Sequence, residues 1–189
     1  MKGNAILRVT EAMRGRLQIA LAASGVPGTV FVGPLDDADA AGAALILFLY
    51  RIVPNPSLRN QEHRIATSPV QVFQNALPLD LFYLVTVGTK PGASEETPLQ
   101  ALGFVMQSWQ TEPELTGAAV DHETVRVTLE PITTEEASRI WALFPTANYR
   151  TSIVYVATPV WIDPVQPAPV AALVLNDELK AGLKAEVGV

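Results

Sequence analysis

Residues 44–60 read Ala44-Leu45-Ile46-Leu47-Phe48-Leu49-Tyr50-Arg51-Ile52-Val53-Pro54-Asn55-Pro56-Ser57-Leu58-Arg59-Asn60, with an abrupt change of character in the middle. The first part is an apolar run without polar alternation. A run this short, stopped by Pro54 and Pro56, predicts a strand buried on both faces. A helix is the rival assignment, but two prolines lacking amide hydrogens would end it at once. The polar, proline-stiffened part is then a loop at one rim of the sheet. Arg51, Asn55, Arg59, Asn60 and Arg64 are the candidate partner-contact residues, because this region is locally basic. His63 has only Glu62 beside it and reads as a surface residue.

The rest of the chain can be laid around this strand. Asn4 is positioned to cap a helix running to Ala23. Ile6, Val9, Met13, Leu17 and Ala20/Leu21 follow three- and four-residue steps, and Gly25 stops it. Thr29–Val32 predicts a short strand, and Asp36-Asp37-Ala38-Asp39 a solvated turn that lacks calcium-loop spacing. Val70–Phe73 is a candidate short strand inside the long connection 54–77, a length that suggests a functional loop or a hidden hairpin. Pro78–Gly88 is a second long strand, with Leu79, Leu81, Tyr83, Val85 and Val87 on one face and Phe82 and Leu84 on the other.

Thr97-Pro98-Leu99-Gln100 predicts a capped helix start, with Leu99, Leu102, Met106 and Trp109 as its buried stripe. Thr124–Glu130 alternates, sending Val125, Val127 and Leu129 inward. Thr133 and Glu136 form a second capping box, opening a helix that buries Ala137, Ile140, Trp141 and Phe144. Thr151–Ile162 is the last strand. It places Val154, Val156 and Val160 opposite Ile153, Tyr155 and Ala157, and Pro159 demands an edge position or a bulge. The fold class is α+β: one mixed or mainly antiparallel sheet packed with about three helices. Residues 1–163 form the domain, and 164–189 a Pro-rich tail that is mobile or an interaction arm.

The chain has 189 residues, 49% of them apolar, enough for a sizeable core. Only 17% are charged, which fits either a surface partly hidden against partners or a neutral monomer. The net charge of −6 disfavours nucleic acid as the main partner. Residues 1–64 hold seven Lys/Arg against five Asp/Glu, and residues 65–189 hold six against fourteen. Such polarity suits head-to-tail contacts. Without cysteine there is no disulfide, catalytic thiolate or Cys-bound zinc. No apolar run approaches the ~20 residues of a membrane span, and charges break the N-terminal segment. These features predict a protein made and folded in the cytoplasm, without a membrane partner.

No motif for chemistry emerges. Gly88-Thr89-Lys90-Pro91-Gly92 lacks Walker spacing, and no dinucleotide, nucleophile-elbow or zincin pattern occurs. Asp121-His122-Glu123 tempts a metal reading but has no fourth ligand in view. The residues therefore point to no catalytic site, cofactor or metal. A small-molecule-binding or enzymatic α/β domain with an unrecognised pocket is the alternative.

Five blocks occur in one order: LFLYRIVPNPSLRN at 47–60, LPLDLFYLVT at 77–86, LGFVMQSWQTEPELTG at 102–117, EPITTEEASRIWALF at 130–144 and YRTSIVYVATPVWID at 149–163. Together they resemble the terminator (cap) protein family of phage-tail-like contractile injection systems. The resemblance covers nearly everything from Ala5 to Asp163. It implies a phage tail-terminator-like fold and a structural protein that is not an enzyme. It further implies a homohexameric ring closing the baseplate-distal end of tube and sheath, with tube protein, sheath protein and its own copies as partners. Such a subunit would be cytoplasmic during assembly and would then belong to a particle that can be released from the cell.

Overall fold

A computed structural model describes residues 3–65, 70–88 and 96–166. Among them, helix α1 (Ala5–Ala23) is followed by β1 (Val30–Val32), β2 (Leu45–Pro54), β3 (His63–Ile65), β4 (Gln71–Phe73) and β5 (Leu77–Val87). Helix α2 (Glu96–Thr111), β6 (Glu114–Leu115), β7 (Val125–Leu129), α3 (Thr134–Trp141) and β8 (Ser152–Ile162) complete the order. Six strands form one sheet in the order β1-β2-β5-β8-β7-β6, and β3 and β4 form a separate hairpin. Only β1–β2 is parallel, so the sheet is mixed and mainly antiparallel, as expected.

Both long strands are interior, with β5 between β2 and β8. One face of the sheet packs Leu45, Leu47, Leu81, Tyr83 and Val85 against α1 and α2. The opposite face packs Ile46, Leu84 and Val154 against Ile140, Trp141 and Phe144 around α3. Gly88 lets β5 close against the start of β2. Its N–H donates to Ala44 O at 2.9 Å, and a Cβ there would collide with the Ala43 carbonyl oxygen.

Local signals hold where the period is long. The stripe Val9, Met13, Leu17, Ala20 and Leu21 is buried on α1. Gly25 follows with φ +70, the left-handed turn that glycine adopts without strain. Thr133 caps α3, accepting from Glu136 N, while the Glu136 carboxylate accepts from Thr133 N at 2.8 Å.

Other expectations need correction. Asn4 occupies the N-cap position, but its side chain makes no capping bond. Helix α2 already includes Glu96, so Thr97 lies in its first turn and does not cap it. Its buried stripe is Ala101, Leu102, Val105 and Trp109, while Leu99 and Met106 are exposed. β2 is buried on both faces only over Leu45–Leu47 and emerges toward Arg51. Pro159 sits at a bulge, one of the two positions expected for it: the register against β5 shifts between Leu79 and Leu81, and the pairing with β7 stops at Thr158. That extra residue reverses the alternation, so Val160 joins Tyr155 and Ala157 on the α1/α2 face. Leu129 is 49% exposed at the rim of a groove between α2 and β7.

One buried polar pair ties α1 to the sheet. Thr10 donates its hydroxyl hydrogen to Ile6 O at 2.8 Å, so Tyr83 is the donor in the 2.8 Å bond between their hydroxyls. Burial pushes the Tyr83 phenol well above its usual pKa. Tyr83→Phe should cost about 1 kcal/mol, because Thr10 keeps its helix partner. Thr10→Val should cost more, about 1–3 kcal/mol, because it strands a buried phenol. Urea denaturation of both variants checks this order, and a larger loss for Tyr83→Phe would refute it.

Candidate functional site

The loop leaving β2 is fastened before it turns outward. Asn55 N donates to Pro78 O at 2.8 Å, which carries the β2–β5 ladder one step further. The Asn55 side-chain oxygen accepts from Ser57 N at 3.0 Å and Leu58 N at 3.2 Å, an Asx turn. Its amide nitrogen donates to Asp80 Oδ1 at 2.9 Å and reaches Thr158 Oγ1 at 3.4 Å. The Thr158 hydroxyl donates to the same Asp80 oxygen. Asn55 thus fixes the loop to β5 and β8.

The other candidate contact residues divide by environment. Arg51 lies on the open end of the sheet, with its guanidinium 4.8 Å from the Phe82 ring centroid. Arg59 and Asn60 are exposed on the loop. Arg64 is exposed on β3 and donates to Glu62 Oε2 at 3.0 Å, which offsets its charge. Arg51 and Arg59 therefore carry the outward basic character. All five residues belong to β2, the loop it feeds and β3, near one end of the sheet.

His63 departs from its expected surface position. It is 5% exposed, and its ring stacks on Trp161 at 4.6 Å with an 8° interplanar angle. Nδ1 lies 2.6 Å from Asp163 Oδ1, and Nε2 lies 3.1 Å from the Glu123 carboxylate. Burial alone would lower the imidazole pKa. The bonds and charges of Glu123 and Asp163 outweigh it and raise the value above 6.5. Nothing near His63 in sequence signals this, since its partners lie 100 and 60 positions away. With both ring nitrogens facing carboxylates, His63 has no nitrogen left to activate a nucleophile. Among the described residues no group of His, Cys, Asp and Glu has the arrangement of a metal site. His122, from the tempting Asp-His-Glu run, is exposed and has φ +64.

Two open grooves lie on the described surface. One runs along α1 between Leu7, Arg16, Ile19 and Leu115. The other lies between α2 and β7, lined by Met106, Trp109, Arg126 and Tyr155. Among the described residues neither brings together a nucleophile, a base and an oxyanion donor.

Residues 8–176 match the family model described as the Pvc16 N-terminal domain. No curated protein matches the chain. Solved structures that share its fold include two terminators. The PVC sheath/tube terminator of an extracellular contractile injection system, in its extended state, is 19% identical with a TM-score of 0.60. That alignment covers 94% of this chain and 65% of the terminator. The tube-terminating cap of the anti-feeding prophage is 19% identical with a TM-score of 0.59, covering 89% of this chain and 60% of the cap. This chain therefore spans less than two thirds of either relative. By their descriptions one relative is a sheath/tube terminator and the other a tube-terminating cap.

Asn55→Ala should loosen the loop without unfolding the sheet. It removes the Asx turn and one bond to a buried-side carboxylate, worth about 1–3 kcal/mol. Limited proteolysis within residues 56–62 should accelerate while the thermal midpoint falls by a few degrees. Unchanged cleavage and midpoint would show that Asn55 does not fasten the loop.

Proposed function

Since the chain belongs to the Pvc16 N-terminal domain family, we propose that it caps the baseplate-distal end of the tube and sheath in a contractile injection particle. The observation that carries this reading is the family match over residues 8–176, on a fold shared with two terminators. The cap acts as a ring of copies, a hexamer, seated on tube and sheath. Its subunits are made in the cytoplasm and leave the cell only as part of the particle.

The physical features suit such a role. A ring closed by head-to-tail contacts joins two different patches of one subunit. The basic side chains Arg51 and Arg59 lie at one end of the sheet, while the acidic excess falls in residues 65–189. Arg51, Arg59, Asn60 and Arg64 face partners, and Asn55 holds their loop in place. Residues 1–163 act as the folded unit, and the segment beyond Asp163 acts as an arm toward a neighbour or the tube. That segment lies outside the described residues from 167 onward.

Particle assembly tests the proposal. Without the chain, particles should lack a finished distal end and vary in length, as seen by electron microscopy. Arg51→Glu with Arg59→Glu should keep the circular dichroism of the native chain yet cap fewer particles. A chain ending at Gln166 should fold and cap poorly. Normal capping by both variants would remove these segments from the contact surface. Normal particles in the complete absence of the chain would remove the cap function itself.

A further inference from the structure

His63 joins three parts of the chain that are distant in sequence. It belongs to β3, Asp163 directly follows β8, and Glu123 precedes β7. The β3–β4 hairpin pairs only three residues per strand and forms a sheet of its own. Two short strands are marginal in water, so the hairpin depends on what fastens it. The apolar part of that fastening is small: Phe73, Ala76 and Trp161, with Leu58 and Ile65 beside them.

The polar part is the imidazole of His63. A neutral ring has one N–H and one lone pair. Here a carboxylate stands against each nitrogen, so only the doubly protonated ring donates to both. Removing a proton would turn one N–H···O contact into a lone pair facing a carboxylate, in a site largely closed to water.

We propose that the His63–Asp163–Glu123 cluster is a pH-released clasp holding the β3–β4 hairpin, and the point where the chain leaves β8, to the end of the main sheet. Among the described residues the charged groups facing the ring are Asp163, at the end of β8, and Glu123, at the entry to β7. β4 and β8 present the uncharged rings of Phe73 and Trp161. Within and beside β3, Glu62 and Arg64 pair with each other at the surface. The direction of release follows from the raised folded-state pKa. The clasp is complete below the ordinary imidazole value and is lost as pH rises through the folded value. The two main cores consist of apolar side chains, so the six-stranded sheet stays folded when the clasp opens. The clasp stands whatever the outer face of the hairpin binds. Where that face meets a partner, as proposed above, raising the pH would release the contact.

Amide hydrogen exchange on the full chain, at about pH 6 and about pH 9, tests the clasp with intrinsic exchange rates divided out. Protection of β3–β4 amides should fall at least about tenfold more than that of β5 amides. In His63→Gln the hairpin-to-core ratio should be low and equal at both pH values. The chain has two histidines, so His122→Gln assigns the His63 ring resonance. That resonance should titrate above 6.5 and move down in Asp163→Asn. A native hairpin-to-core ratio unchanged between the two pH values would overturn the clasp. So would a His63 ring already neutral at about pH 6. The native chain decides by itself, so a variant that misfolds does not blunt the test.

Discussion

Strand β5 has to bury two faces and satisfy two edges at once. From Tyr83 to Val87 its apolar residues are buried on both faces, and much of the architecture follows from that demand. β2 and β8 take its edges, α1 and α2 cover one face, and α3 covers the other. The two covers differ in reach. Strand β5, with 11 residues, spans about 36 Å, whereas α3, with 8, spans about 12 Å. A short helix cannot roof the whole strand, so Tyr50, Phe82 and Val156 remain only half-buried at the far end. Arg51 rests on Phe82 there, and the loop held by Asn55 emerges beside it. The open region of the molecule is thus a consequence of how the core is covered.

Elements longer than about two turns or five strand residues were legible in the sequence because their periodicity is local. The α1 stripe and the alternation of Leu79 to Val87 depend on nothing outside their own segments. Faces decided by distant partners were not legible. Val160 changes sides because of a bulge against β5, and no pattern within residues 151–162 states where the extra residue falls. Leu99 and Met106 fit a helical stripe as well as Val105 does, yet it is Val105 that enters the core shared with α1. β6 and the 3-10 turns at Ala38–Ala40 and Gly117–Val120 are too short to carry a period. At the candidate site Asn55 was visible as a loop residue and candidate contact, but its Asx turn and its bonds to Asp80 and Thr158 were not. The environment of His63 was misread for the same reason, since Asp163 becomes its neighbour only through the folding of β8 against the hairpin.

A buried imidazole between two carboxylates is a poor way to gain stability, whether or not its ring is charged. Desolvating charges costs several kcal/mol per ion, and a well-packed apolar replacement often does as well. What the arrangement supplies is orientation. The stack on Trp161 sets the plane of the ring, and the two carboxylates set its rotation within that plane. An apolar side chain of similar size would leave that rotation free. The hairpin has few apolar contacts of its own, so it draws its direction relative to the sheet largely from these three side chains.

The edges of the main sheet bear on how copies of such a subunit meet. β1 offers three residues and β6 only two, short edges that give an incoming strand little to pair with. Gln18 also occupies part of the β1 side, accepting from Val30 N and donating to Gly28 O, each at 3.1 Å. Strand addition at long open edges is a heterologous contact that need not close, and contacts that do not close grow into filaments. A protein that works as a closed ring has reason to keep its strand edges short and to meet its neighbours through side chains on shaped loops. The surfaces available on this chain follow that division in part. Its outermost strands are short, although β2 beyond Leu47 has no strand on its outer side among the described residues, while the polar loop after β2 is long, stiffened by Pro54 and Pro56, and tied down at Asn55. Rigidity at the base of such a loop lowers the entropy lost when its side chains meet a partner. On the proposed role in a cap, the half-buried Asn55 and the buried His63 would matter to assembly as much as the exposed arginines near them.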